Sequence, residues 1–166
     1  MAESNRQLEI PPRGTHGSGG FGSWIFKFAR PLMNMEISRY RKNAGPEAPR
    51  VMDFPGVLLT TTGARTGRER TQILGGFADG EGRWLVVASK GGAPTHPHWF
   101  INLAKHPDKV WLEVGNRKMR VTPQVLKGAE REAALERISK VAPRYGKYQT
   151  KTDREIPIVR LEQIPG

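Results

Sequence analysis

"RTQILGGFADGEGRWLVVASKGG", residues 70–92, decides the fold. An apolar run reaches Gly75-Gly76, Asp79-Gly80 marks a turn, and a second apolar run, Trp84–Ala88, follows at once. Two such runs around a tight turn predict a β-hairpin over 70–91. "KVWLEVGNRKMRVTPQVL" (109–126) alternates around Gly115-Asn116 and predicts a second one. "GVLLTTTG" (56–63) adds a strand ahead of both. "EIPIVRLE" (155–162) adds one behind, where Pro157 favours an edge or irregular position.

Helical segments interrupt the strands. "PHWFINLAKHP" (97–107) opens with a proline suited to a first turn and stops before Pro107. "GAEREAALERISKVA" (128–142) reads as a surface helix, and "RYGKYQTKTDR" (144–154) as a shorter one. Phe21, Trp24, Ile25, Phe28, Leu32 and Met35 recur at spacings of three and four, predicting a helix over 21–43 that Pro31 kinks or splits. Short hairpin-linked strands with helices between them define an α+β chain, a small, mostly antiparallel barrel with surrounding helices. The expected organisation is a flexible tail over 1–20, an amphipathic helix over 21–43 and a barrel domain over 44–166. Gly17-Ser18-Gly19-Gly20-Phe21-Gly22 fits the G-x-G-x-x-G pattern but follows Pro11-Pro12 rather than a strand, so it is read as linker.

The chain has 166 residues, no cysteine, 27 Lys+Arg and 16 Asp+Glu, for a net charge of +11. Disulfides and thiolate metal sites are excluded. The excess positive charge asks for an acidic partner: nucleic acid, an anionic membrane surface or a small polyanion. No apolar run is long enough to cross a bilayer, and the first 20 residues lack the apolar core of a signal peptide. A cytoplasmic location is expected. The 21–43 helix carries Lys27, Arg30, Arg39, Arg41 and Lys42. Its apolar face is expected either to pack on the domain or to make peripheral contact at the inner face of the cell membrane. His96, His98 and His106 lack an H-E-x-x-H or carboxylate companion, so no metal site is expected. No G-x-S-x-G elbow exists to support a hydrolase.

The residues that carry chemistry cluster at strand ends. In "LLTTTGARTGRERTQ" (58–72) a strand runs into Gly63 and Gly67 beside Arg65, Thr66, Arg68 and Arg70. Guanidinium forks, a hydroxyl and glycine-turn amides together suit phosphate or carboxylate oxygens. "VVASKGG" (86–92) repeats the theme with Ser89, Lys90, Gly91 and Gly92. If both strands end at one rim of the barrel, the two loops face one ligand. Trp99 and Asn102 share a helix face, able to flank a ring and bond its polar edge. Tyr145 and Tyr148, also three apart, are able to cover a ring, position a carbonyl or donate a proton.

"LLTTTGARTGRERT", "VVASKGGAPTHPHWFINLAKHPDKVWLEV" and "KYQTKTDREIPIVRLE" together resemble the deazaflavin (F420)-dependent nitroreductase family, which includes F420H2-dependent quinone reductases, over roughly residues 21–162. The resemblance implies a split β-barrel related to flavin-reductase-like barrels and use of F420, a deazaflavin with a phosphate and an oligoglutamate tail. It implies hydride transfer to quinones or other activated small-molecule acceptors, and, in some members, membrane association through the N-terminal helix. By the family pattern Arg65, Thr66 and Arg70 would hold the phosphate end. Ser89, Lys90, Gly91 and Gly92 would approach the ring edge and linker, Trp99 and Asn102 would line the cofactor groove, and Tyr145 and Tyr148 would cover the substrate. Ala64 stands where members often carry a basic residue, with Arg68 the expected replacement. Gly75 stands where the nitro-reducing member has a tyrosine, and is expected to leave that wall of the acceptor pocket open. Another tyrosine of that set aligns with Ala142. The alternatives are an FMN enzyme of the same fold, a noncatalytic cofactor carrier and a nucleic-acid-binding barrel. No RNP-like aromatic pattern or helix-turn-helix supports the last, so no nucleic-acid partner is expected. The expected assembly is a monomer or a homodimer.

Overall fold

Val57 and Leu59 face one side of their strand and Leu58 the other, and this alternation sets the two surfaces of the sheet. The computed structural model describes residues 7–18, 23–51 and 54–166. The strands are β1 (Arg50–Val51), β2 (Phe54–Thr62), β3 (Glu69–Gly75), β4 (Phe77–Ala78), β5 (Arg83–Val87), β6 (Trp111–Val114), β7 (Arg117–Val125) and β8 (Ile158–Gln163). The helices are α1 (Ser23–Asn43), α2 (His98–Lys105), α3 (Gly128–Val141) and α4 (Arg144–Thr150). The sheet order is β1-β2-β6-β7-β8-β5-β4, with β3 also on β2, and every pairing is antiparallel. The sheet curls into the expected split barrel. The 109–126 hairpin forms whole; of the 70–91 hairpin only β4 pairs with β5, because Gly76 breaks the leading strand and β3 pairs with β2 instead.

Along β2, β6, β7, β8 and β5 the strand direction alternates at each step, so β2 and β5 run the same way and end at one rim. Val57, Leu59, Val86, Leu112, Val121, Val159 and Leu161 fill the interior together with Trp99, Phe100 and Leu103 of α2. Phe54, Leu85, Val87 and Ile158 pack outside this core against Ala134 and Ile138 of α3 and Tyr145 of α4.

Pro157 takes the irregular one of its two expected positions, and the reading of α1 changes. β8 lies between β5 and β7 and is no edge strand. Pro157 is tolerated because it stands just before the ladder, where its missing N–H costs no sheet bond, while its carbonyl accepts from Ala88 N–H at 2.9 Å. α1 continues through Pro31, and its packing face lies further along than its periodicity indicates. Leu32 and Met35 are exposed, whereas Ile37 and Tyr40 are buried against Leu58. Each such burial stabilises the helix by about 1.5–3 kcal/mol. The Tyr40 hydroxyl accepts from Gly115 N–H at 2.9 Å and donates to the Gly56 carbonyl at 2.8 Å. Arg41 forks onto Glu113 at 2.8 and 2.9 Å. Phe21, Trp24, Ile25 and Phe28, also expected on the packing face, fall outside the described side chains.

Residues 7–18, read from composition as part of a flexible tail, run along the barrel as a strap. Leu8 N–H bonds the Ala104 carbonyl, Gly14 N–H that of Pro94 and Ser18 N–H that of Gly92, at 2.9, 2.9 and 3.0 Å. The rest of the expected tail, 1–6 and 19–20, lies outside the described residues.

Candidate active site

β3 pairs on one edge with β2 and, among the described residues, with no strand on its other edge. That edge is the split in the barrel. A groove of about 270 Å³ occupies it, lined along β3 by Gln72, Leu74 and Gly75 and across the split by Val87, Ser89 and Lys90. Trp99 and Pro97 close one side, and Phe54 and Tyr145 the other. Apolar side chains share this wall with the polar groups of Gln72, Ser89 and Lys90, a mixture able to seat a small molecule and fix its orientation.

The Ser89 loop lines this groove, and α2 ties the arginine turn to it. Trp99 lines it, and Asn102, one turn on, accepts from Ala64 N–H at 2.9 Å. Asn102 therefore fixes the arginine turn. The turn is further closed by Gly63 N–H to the Arg68 carbonyl at 2.7 Å and Gly67 N–H to the Gly63 carbonyl at 2.9 Å. Thr66 Oγ1 accepts from Arg68 N–H at 3.3 Å and lies where a Cβ on Gly63 would intrude. Arg65, Arg68 and Arg70 are exposed. Thr61 pairs with Arg70, Leu59 with Gln72 and Val57 with Leu74, so Arg70 continues the strand face that lines the groove.

The Ser89 loop is built differently. Lys90, Gly91 and Gly92 have φ of 45°, 65° and 84°, three left-handed residues in succession. This is inexpensive for glycine and strained for lysine. The loop is held from below by Arg154, which is 2% exposed. Its Nε donates to the Ala93 carbonyl at 2.7 Å and its Nη2 to the carbonyls of Ser89 and Ala88 at 2.8 and 3.1 Å. Nη1 lies 3.1 Å from His96 Nδ1. The Pro11 carbonyl, 2.8 Å from His96 Nε2, can only accept, so Nε2 carries the proton and Nδ1 accepts from Arg154. Burial holds the His96 imidazole below its ordinary value and lowers Arg154 to about 10. Among the described residues Arg154 makes no ion pair, so its positive charge backs the loop uncompensated. Burial first, and then Arg154 and Arg13, push the Lys90 ammonium down. Lys90 Nζ donates to Thr95 Oγ1 at 2.9 Å.

At the far end, Tyr145 is buried edge-on against Phe54, Phe77 and Tyr148. Its hydroxyl occupies the place a Cβ on Gly75 would take. The wall expected to be open at Gly75 is thus filled by a tyrosine from another element. Tyr148 is half-buried behind Tyr145.

The groove brings together Ser89, Lys90, Trp99 and Tyr145. Arg65, Thr66, Arg68 and Arg70 stand beyond it on the adjoining turn, and Gly91, Gly92, Asn102 and Tyr148 support its walls. Among the described residues no group of His, Asp or Glu is placed to hold a metal. Sequence reasoning passed over Arg154, and weighed His96 only as a metal ligand. The clue was the alternation Thr152-Asp153-Arg154-Glu155-Ile156, which turns Arg154 inward with Thr152 and Ile156.

A split barrel whose seam carries an apolar groove, flanked at one rim by two cationic loops, defines a binder of flat, anionic redox cofactors. The model of the F420H(2)-dependent quinone reductase family matches residues 32–163, and the chain belongs to that family. It is 37% identical over 136 residues to an F420H(2)-dependent quinone reductase of Mycobacterium tuberculosis, covering 78% of this chain and 89% of the relative. Among solved structures, the F420-H2 dependent reductase FDR-A shares 40% identity with a TM-score of 0.60, over 69% of this chain and 99% of its own. A second, described as a domain-swapped dimer, shares 34% identity with a TM-score of 0.61, over 83% and 99%. The protein is an F420H2-dependent oxidoreductase, with F420 as its cofactor.

The residues present fit that group. The groove offers Trp99 and Leu74 to a ring, and to its polar rim the main-chain edge of β3 that no described strand pairs. Arg154 and Lys90 set a positive field under one loop, and the arginine turn extends it.

Proposed function

We propose that the protein reduces a quinone-like acceptor seated between β3 and the Tyr145–Tyr148 pair. The observation that carries this reading is the seam groove, apolar at its Phe54–Tyr145 end and cationic toward Lys90 and the arginine turn. Bound in its reduced form, F420 supplies the hydride. Arg65, Thr66, Arg68 and Arg70 bind its phosphate end, and Ser89, Lys90, Gly91 and Gly92 its linker and ring edge. Trp99 orients the ring, and Asn102 keeps the turn in place. Tyr145 and Tyr148 exclude water from the acceptor, and a phenol there is able to give a proton to the reduced oxygen. Fixing both partners in contact is the main source of acceleration.

The test is oxidation of F420H2 by a simple naphthoquinone, followed optically in wild type and in Tyr145→Phe and Tyr148→Phe. Saturable turnover is expected, with a raised acceptor KM in the tyrosine variants and F420 affinity within about twofold of wild type. Unaltered acceptor kinetics in both variants would remove the tyrosines from the site. No turnover with any quinone would overturn the acceptor class.

Exposed Leu32, Met33 and Met35 beside Arg30, Arg39 and Lys42 support a second role for α1, peripheral contact with an anionic bilayer where quinones reside. No helix among the described residues is long and apolar enough to cross a membrane. Co-sedimentation with anionic but not neutral vesicles is expected, and absence of pelleting with both would exclude it. The domain-swapped neighbour supports a dimer, which sedimentation would reveal.

A further inference from the structure

The strap lies outside the residues that the family model matches, yet it is fitted closely to the cofactor loop. Ser18 Oγ donates to the Gly91 carbonyl at 2.7 Å, and Ser18 N–H to that of Gly92 at 3.0 Å. A Cβ on Gly17 would stand 2.5 Å from the Gly92 carbonyl oxygen and 2.8 Å from the Pro94 ring, so only glycine permits this approach. A Cβ on Gly14 would stand 2.6 Å from Asp153 Oδ1. The strap is pinned there by Asp153, which accepts from Thr15 N–H at 2.8 Å, Thr15 Oγ1 at 2.5 Å and His16 N–H at 3.2 Å. The hydroxyl of Thr15 and the amide of His16 draw that carboxyl down to about 2. Thr152 Oγ1 donates to the His16 carbonyl at 2.8 Å. At its other end the Pro11 carbonyl fixes the His96 tautomer that accepts from Arg154.

The loop so gripped is the left-handed Lys90–Gly91–Gly92 run. Strained backbone persists only where its surroundings over-determine it. Arg154 grips the loop's other carbonyls from the interior, and a Cβ on Gly92 would press on the Tyr148 carbonyl oxygen at 2.8 Å. The strap takes the carbonyls of Gly91 and Gly92 that Arg154 does not reach. It also brings Arg13 close enough to depress Lys90.

We infer that the segment Pro11–Ser18 is a positioning element of the active site, which sets F420 affinity by holding the Ser89–Gly92 loop in its left-handed form. Ser18 and Gly17 are its principal positioning residues. The inference rests on the reading that this loop holds the cofactor.

F420 affinity, followed by cofactor fluorescence, tests it in Ser18→Ala, Ser18→Thr, Gly17→Ala and a chain lacking residues 1–18, with Lys90→Ala alongside. One lost hydrogen bond in Ser18→Ala weakens F420 roughly threefold to tenfold, and Ser18→Thr restores it. Gly17→Ala and the shortened chain weaken it at least as much. kcat at saturating F420H2 stays within about twofold, because the loop positions the cofactor and takes no part in the acceptor's reduction. Without cofactor, amide exchange at Gly92 and Ala93 quickens in the strap variants while the barrel strands keep their protection. Wild-type affinity in Ser18→Ala and Gly17→Ala, with Lys90→Ala weakened, overturns the role of the strap alone. Wild-type affinity in Lys90→Ala overturns the reading of the loop itself.

Discussion

The two cationic loops at the barrel rim flank one groove and are built in opposite ways. The 63–68 turn is local. Its bonds run between residues within five positions of each other, apart from Asn102, and its arginines stand in solvent. The 88–93 loop is fixed by residues far away in sequence, Arg154 and Ser18, with His96 and Pro11 lined up behind Arg154, and it is strained and largely buried. The first is a comb of exposed charges on a plain turn. The second is a rigid shape with a buried charge behind it. Removing a charge from the first should therefore alter binding alone, whereas disturbing the second should alter stability too.

Arg154→Ala gives the largest effect. It leaves the carbonyls of Ala88, Ser89 and Ala93 and the Nδ1 of His96 without their buried donor, and opens a cavity. A loss of about 3–5 kcal/mol is expected in denaturant unfolding. A loss below about 1 kcal/mol would mean the loop holds its shape unaided. Arg65→Ala with Arg70→Ala is the counterpart. Both side chains are exposed, so stability should stay within about 0.5 kcal/mol. F420 affinity should fall by about tenfold to a hundredfold, and its salt dependence should flatten, because charge-assisted bonds to an anion are lost. Unchanged affinity would remove the phosphate from that turn.

The contrast also explains what the sequence discloses. Hairpins at Asp79-Gly80 and Gly115-Asn116, the three helices after residue 96 and the arginine turn are written in neighbouring residues, and all were legible. The common rim of β2 and β5 follows from the strand order, which the sequence left as a condition. Arg154 and the strap were not legible as site elements, because the partners of the guanidinium and of the strap lie 58 to 138 positions away and nothing in "PPRGTHGS" announces a surface to meet. The same holds for Gly75. Its lack of a side chain read as an opening until α4 delivered the Tyr145 hydroxyl to that spot.

Gly75 and Tyr145 form a pair that sharpens the comparison at the acceptor end. In Gly75→Ala the new methyl collides with the Tyr145 hydroxyl, and over-packing of this kind costs about 1–3 kcal/mol. In a Tyr145→Phe background the nearest remaining atom is Phe54 Cδ2 at 3.1 Å, so the same alanine should cost less. A double-mutant cycle measured by unfolding detects this coupling. Additive costs would show that the hydroxyl yields freely. F420 affinity should change little across the cycle, and acceptor KM should follow Tyr145.

His96 adds a pH dependence that only the lashed loop can have. Its folded-state imidazole titrates below the ordinary 6.5. The unfolded chain therefore takes up a proton first as pH falls. The stabilisation is complete above about pH 6.5 and is lost below it, until the folded imidazole also protonates and Nδ1 turns from acceptor to donor against Arg154. The slope from this one group reaches at most about 1.4 kcal/mol per pH unit. Unfolding measured from pH 8 to 5 should show it in wild type and lose it in His96→Asn, while Arg65→Ala with Arg70→Ala keeps it. An identical profile in His96→Asn would assign the slope elsewhere.

The smallest effect divides the loops most sharply. Lys90 carries a left-handed backbone at φ 45°, a conformation glycine adopts freely. Lys90→Gly removes that strain and should stabilise the apo protein by about 1 kcal/mol, less the few tenths held by the exposed bond to Thr95. It also removes a cation from the groove, so F420 affinity should fall. A variant both firmer and weaker in binding would show that the lysine is kept at that position for its charge, at the expense of the backbone. No comparable trade is available in the 63–68 turn, where the only left-handed residue is already Gly67. Were Lys90→Gly destabilising instead, the grip of Arg154 and the strap would already absorb the strain, and the loop's shape would be owed to its partners alone.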